Sequence, residues 1–234
     1  ALTVFACACI FVAAPLFLWA ARRLSADGPA RPNSETSGAE RRAARAARRR
    51  PAFWLLAGAL PIIALTHGMI VSHLIPMLES RGAIGGTAIF AASLIGPAQV
   101  AGRVLITLFA RRAAGIGLIL GAYGVAGASY LLLLSAGAPD WRVFLAIGAI
   151  GAANGICSIA KPLAIADLLG RAGFGGISGA LAMPFIAGAA LAPFLAALFW
   201  RAGGYDLMLG AAAAMALCGL ALLALARRIA PGTD

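Results

Sequence analysis

Residues 52–78 read AFWLLAGALPIIALTHGMIVSHLIPML, twenty-seven positions without one Asp, Glu, Lys or Arg. A hydrocarbon core about 30 Å thick needs roughly 20 helical residues to cross it, and this stretch exceeds that. A lipid-facing β-strand would alternate apolar and polar residues over about 10 positions, and no such alternation is present. Only a helix satisfies every backbone amide and carbonyl within one segment away from water. The stretch is therefore expected to be a transmembrane helix.

Working outward, the same reading places further spans near 1–21, 85–110, 113–135, 141–166, 174–200 and 205–228, each closed by charge, proline or glycine. The whole composition agrees. Hydrophobic residues make up 62% and charged residues 12%, with a mean hydropathy of +0.93, whereas soluble domains run nearer half apolar and about a quarter charged. The expected fold class is an all-α, polytopic membrane helix bundle of about seven transmembrane helices. The chain opens on Ala1 and Leu2 and enters apolar sequence at once. With no basic flank and no Ala-x-Ala cleavage site, residues 1–21 do not read as a secretory signal. The start is read as a cut inside a longer protein.

The net charge of +11 is first a topological signal, because Lys and Arg flanking short loops are retained on the cytoplasmic side. Between the first two spans lie Arg22, Arg23, Arg31, Arg41, Arg42, Arg45, Arg48, Arg49 and Arg50. Every second boundary after that is basic, with Arg111 and Arg112, then Lys161 and Arg171, then Arg227 and Arg228; the alternate boundaries carry Arg81, Arg142 and Arg201 alone. The C-terminus is expected in the cytoplasm and residue 1 outside. A multi-pass protein of a bacterial inner membrane is the expected localisation.

Residues 22–51 form the one long polar stretch, and it buries too little apolar surface to fold alone. Its residues 39–49 are read as a basic helix lying on anionic lipid. A nucleic-acid arm would interleave aromatics with the arginines, and none are there. The organisation is then a last helix of one unit at 1–21, a cytoplasmic linker at 22–51, a six-helix bundle at 52–228 and a cytoplasmic tail at 229–234.

One span, a long basic loop and six closely connected spans make the layout of the second half of a 6+6 transporter. The residues within it are Leu78-Glu79-Ser80-Arg81-Gly82 after the second span, Gly96-Pro97-Ala98-Gln99-Val100-Ala101-Gly102-Arg103 in the third, and Phe174-Gly175-Gly176-Ile177-Ser178-Gly179-Ala180 opening the sixth. On these the sequence resembles the major facilitator superfamily over essentially its whole length, as helix six, the central loop and helices seven to twelve. The resemblance implies alternating access about a midplane site, with a missing N-terminal half as partner. The family's loop Gly-x-x-x-Asp-Arg-x-Gly-Arg-Arg is represented here by Thr107-Leu108-Phe109-Ala110-Arg111-Arg112, without the aspartate of the gate latch. The chain is also similar to the monocarboxylate-transporter branch, where an aspartate stands four residues before a substrate-linked arginine. Gln99 occupies that place ahead of Arg103, so the resemblance implies anion binding without a proton-accepting carboxylate at that position.

Polar groups inside spans are costly in lipid and normally face a cavity or a partner. Arg103 and Gln99 share a helix face. The guanidinium is a fixed fork of donors for a carboxylate, or else it snorkels to the interface. Asn154 and His67 are read as further substrate contacts. Lys161, followed by Pro162 and close to the cytoplasmic end, either snorkels to the interface or belongs with Asp167 to an inner gate or anion path, with Asp167 as partner of Lys161 or Arg171; His73, Arg111 and Arg112 complete the gate or coupling set. Either histidine is a proton-coupling group or a hydrogen-bonding core residue. Gly117/Gly121, Gly151/Gly155 and Gly175/Gly179 are spaced for close helix packing, and Pro61, Pro76, Pro97, Pro162, Pro184 and Pro193 for bends. Tyr123 and Tyr130 either line a cavity or pack. Cys7, Cys9, Cys157 and Cys218 lack zinc-ligand spacing and read as small buried apolar residues. No metal or cofactor site is read, and no nucleophile-and-base set, His-Glu-x-x-His or phosphate loop marks an enzyme. The expected function is secondary transport of a small organic anion such as a monocarboxylate. Drug or metabolite efflux within the same superfamily is the alternative, and a seven-helix receptor or scaffold comes behind both.

Overall fold

The structure is a computed structural model that describes residues 11, 14–16, 18–19, 34–109, 114–137 and 140–229. The chain divides into two compact units, Ala1–Ala39 and Glu40–Asp234. In the first, residues 11, 14–16 and 18–19 are helical; the rest of the expected span at 1–21 lies outside the described residues, as do Cys7, Cys9, Arg111 and Arg112. All regular structure among the described residues is helical, so the all-α expectation holds.

Seven helices follow in order: α1 (Ser34–Arg48), α2 (Pro51–Ser80), α3 (Gly85–Ser93), α4 (Ile95–Phe109), α5 (Gly115–Ser135), α6 (Trp141–Leu169) and α7 (Phe174–Ile229). Local chemistry sets their ends. Pro51 occupies the first turn of α2, where its missing N–H costs nothing. The Asp140 carboxylate caps α6 by accepting from the Arg142 amide at 3.1 Å. Gly170, at φ 87°, stops α6 in the left-handed conformation that glycine takes readily.

Two boundaries differ from the sequence reading. The expected span 85–110 is two helices meeting at Leu94. Pro97 has no amide for the Ser93 carbonyl, and its ring crowds that oxygen, so the ladder lapses there; it resumes when Ala98 N–H donates to Leu94 O at 3.0 Å. The helices continue through Pro61, Pro76, Pro162, Pro184 and Pro193. The second difference is α7, whose 56 residues would run ~84 Å if straight, more than twice a bilayer core. It turns back at Gly203 and Gly204, giving arms 174–202 (α7a) and 205–229 (α7b). The expected spans 174–200 and 205–228 are thus both present, joined by two residues.

Six apolar crossings of alternating direction result: α2, α3 with α4, α5, α6, α7a and α7b. Each of the five helical stretches α2, α3–α4, α5, α6 and α7 is long and apolar enough to cross a membrane. Their outer faces carry Val71, Ile75, Phe90, Val100, Leu105, Met183, Ile186, Phe194 and Leu198, all exposed. Apolar surface on this scale belongs against lipid rather than water, and the protein is a multi-pass membrane protein. Trp54, Trp141 and Trp200 are exposed near helix ends, the level of headgroup anchors.

Inside, α2 lies along α7, and α6 takes α4 on one side and α5 on the other. Tyr123 and Tyr130 are fully buried, so they are packing residues; the Tyr123 hydroxyl donates to Ala59 O on α2. Of the three glycine pairs, one makes the expected contact. A Cβ on Gly151 would stand 2.8 Å from both Ala98 Cβ and Ile95 O, a Cβ on Gly155 would collide with the Gln99 backbone, and one on Gly102 with Ala152. The α4 and α6 backbones therefore touch, which small residues permit and which drives helix association where lipid removes the hydrophobic term. Gly117, Gly121, Gly175 and Gly179 face nothing within 4 Å, so their spacing carries no packing role here. Cys157 is buried as expected, but Cys218 is exposed, on an outward face of α7b.

Candidate functional site

The α4–α6 backbone contact decides where the polar residues go. With Gly155 seated on the backbone of Gln99, the next turn of α4 stands opposite the next turn of α6. Arg103 Nε donates to Ser158 Oγ at 3.1 Å, and Ser158 Oγ in turn donates to Gly155 O at 2.7 Å. The Arg103 guanidinium is thus tied to α6 by its Nε, although the side chain is exposed. Ser158 was not singled out by sequence reasoning. A serine in an apolar span gives no sign of which neighbour it faces, and only its position three residues after Gly155 connects it to the packing seam.

Ser158 belongs to a stripe on α6 with Asn154 and Lys161, residues three and four apart. The stripe faces a cavity of about 270 Å³ that also touches Leu60, Ile119 and Phe185. A second cavity of about 310 Å³ shares Leu60, Ser158 and Lys161 and extends to Pro162, Phe174 and Ser178. The two form one cleft between α2, α6 and α7a, with α5 at its back. Among the described residues no carboxylate lines either part. The Ser178 hydroxyl is buried with no hydrogen-bond partner, a donor left open at the cleft wall.

Lys161 is not paired with Asp167. Its Nζ stands 3.7 Å over the centroid of the Phe185 ring, a cation–π contact worth ~0.5–2 kcal/mol according to its desolvation. Asp167 is exposed and instead accepts from the Ile116 amide at 3.4 Å, which places a carboxylate at the start of α5 where the helix dipole favours it. The expected pairing of Asp167 with Lys161 or Arg171 is not formed, because α5 begins beside Asp167 and takes it as a cap. Lys161 joins Asn154 in the cleft, and Asp167 fastens α6 to α5.

His67 and Gln99 come together from α2 and α4, Nε2 to Nε2 at 3.5 Å. His67 Nδ1 is buried without a partner. The four residues expected at a substrate site are therefore divided: Arg103 and Asn154 meet the cleft through Ser158 and directly, whereas His67 and Gln99 form a polar pair of their own. His73 is apart from both, bonded through Nδ1 to Ser72 Oγ at 3.0 Å. Arg111 and Arg112 lie outside the described residues.

At the other end of the bundle Arg81 bridges three elements. Its guanidinium donates to Leu133 O and, at 3.1 Å, to Ala136 O at the end of α5, and it pairs with Asp206 at 2.6 Å. No family model matches the chain, and no curated protein matches it.

Proposed function

We propose that this chain is the C-terminal part of a secondary active transporter working by alternating access, with a small organic anion, a monocarboxylate in particular, as its solute. The observation that supports it most is the cleft of Asn154, Ser158 and Lys161, which has a cation at its wall, a second cation on Ser158, and, among the described residues, no acid in its lining to neutralise them. At an effective dielectric of ~20, one such cation attracts a carboxylate 4 Å away by about 4 kcal/mol before desolvation. Lys161 rests on an aromatic face rather than in an ion pair, so an arriving anion displaces no carboxylate.

Asn154 and the open Ser178 hydroxyl supply neutral hydrogen bonds to orient such a solute. Release follows when the cleft opens to water and both partners regain hydration.

In this reading the arginine-rich α1 end of the bundle and the C-terminus are cytoplasmic, the membrane is a bacterial inner membrane, and an N-terminal half completes the pathway. With Gln99 neutral, His67 is the titratable side chain beside it. The test is uptake of labelled small carboxylates into vesicles holding the full-length protein, native against Lys161→Gln and Arg103→Gln. Saturable uptake that falls at least tenfold in both variants, with insertion intact, is expected. Uptake indifferent to both substitutions would sink the anion reading and favour export of uncharged or cationic compounds.

A further inference from the structure

A second charged cavity lies at the α1 end of the bundle and meets the cleft at Phe174. Its volume is about 380 Å³, and Arg41, Arg45, Arg48 and Arg171 line it together with the Gly175–Gly176 backbone at the start of α7. Arg41, Arg45 and Arg48 are four and three residues apart and share one face of α1. Opposing these four guanidinium groups is a single carboxylate, Glu40. The ion pairs found among the described residues are Arg81–Asp206 and Arg142–Asp140, so none neutralises this cluster. The cavity is built rather than incidental. Ala44 is 7% exposed, and a Cβ on Gly173 or Gly176 would stand 2.9 Å from Ala44 N or 3.1 Å from Ala44 Cβ. Arg48 also donates to Gly176 O at 3.3 Å. Two glycines let α1 close onto the turn before α7 and hold its arginines over that turn.

Arg48 is also the wall shared with a second, mostly apolar groove of about 570 Å³ formed by Phe53, Trp54, Ala57, Ala180 and Pro184. Along α7a the groove follows Ala180 to Pro184, about one turn or ~6 Å, away from the arginines and along the membrane-crossing direction. A phosphate demands the first cavity and an acyl chain the second, and they are continuous at Arg48. We propose that this surface is a binding site for an anionic phospholipid, its phosphate among Arg41, Arg45, Arg48 and Arg171 and an acyl chain between α2 and α7a. Four guanidinium groups at one cavity offer a phosphate charge-assisted hydrogen bonds that diffuse surface attraction lacks. A free phosphate shares the headgroup chemistry but leaves the groove empty.

The test is native mass spectrometry of the full-length protein released from nanodiscs of phosphatidylcholine containing a minority of phosphatidylglycerol. The native protein is expected to retain phosphatidylglycerol at least tenfold over its share of the disc. The triple variant Arg41→Gln, Arg45→Gln, Arg48→Gln is expected to lose that enrichment, and so is Ala180→Phe, which fills the groove without changing charge. A charge-matched control, Arg42→Gln, Arg49→Gln, Arg227→Gln, is expected to keep it. Equal loss in the control and the pocket variant overturns the site in favour of general surface charge. Enrichment that survives Ala180→Phe but yields to millimolar inorganic phosphate overturns it in favour of a free-anion pocket. Should the triple variant fail to insert, Arg171→Gln and Ala180→Phe decide the matter between them.

Discussion

Arg81 and Asp206 stand 2.6 Å apart, the arginine 16% and the aspartate 77% exposed at their side chains. The asymmetry says which of the two matters for stability. An exposed ion pair contributes ~0–1 kcal/mol, whereas the buried side of Arg81 satisfies carbonyls that the end of α5 leaves open. Asp206→Asn is expected to cost less than about 1 kcal/mol of stability and to lower the thermal midpoint only slightly. Arg81→Met is expected to cost ~1–3 kcal/mol. Thermal unfolding of the two variants in one detergent checks the order; equal losses would place the weight on the ion pair.

Gly155→Leu inserts a side chain where the Gln99 backbone already lies. Overpacking of a tight interior costs about 1–3 kcal/mol and sometimes more, and here α4 must move bodily. Gly117→Leu, at the same motif spacing but with open space around it, is expected to be near neutral. Yield of monodisperse protein and thermal midpoint for the pair would show whether the α4–α6 seam carries the packing.

Ser158→Ala removes the hydroxyl that receives Arg103 Nε. A hydrogen bond to a charged group is worth ~1.5–3 kcal/mol, so under the proposed anion transport a guanidinium freed to wander is expected to raise the apparent KM for a small carboxylate about tenfold or more. Ser158→Thr keeps the hydroxyl and is expected to keep most of the affinity. Equal KM values in both variants would remove Ser158 from the site.

Pro97→Ala returns an amide opposite the Ser93 carbonyl and removes the ring that crowds it. The α3–α4 break is expected to close, with slower amide hydrogen exchange across residues 93–98. Unchanged exchange there would assign the break to tertiary packing at Leu94 instead.

Much of the architecture was legible because length and apolarity alone specify a membrane span, and six crossings follow from runs such as 52–78 without any knowledge of contacts. Spacing was a poorer guide to faces. Gly117/Gly121 and Gly151/Gly155 look alike as text, yet one pair faces open space and the other a backbone, because the motif does not say which side of a helix meets a neighbour. Pro97 was one of six prolines read as bends, and it alone coincides with a broken helix, since the others leave helical continuity intact. Arg103 and Asn154 were singled out in the sequence because lipid penalises them. Ser158 was missed because a hydroxyl is satisfied by its own helix at little cost, as its bond to Gly155 O shows. Lys161 was read from its sequence distance to the membrane edge, which carries no information about the Phe185 ring on another helix.

The reversal at Gly203 and Gly204 bears on how the protein is made. Gly204 has φ 73°, a conformation that costs any residue with a Cβ and that glycine adopts freely. With two residues between them, α7a and α7b cannot be released into the bilayer one after the other, each finding its own tilt. They must enter as a pair, the second arm drawing the first to full depth. Lengthening that turn by a flexible insert would turn a coupled pair into two independent passengers.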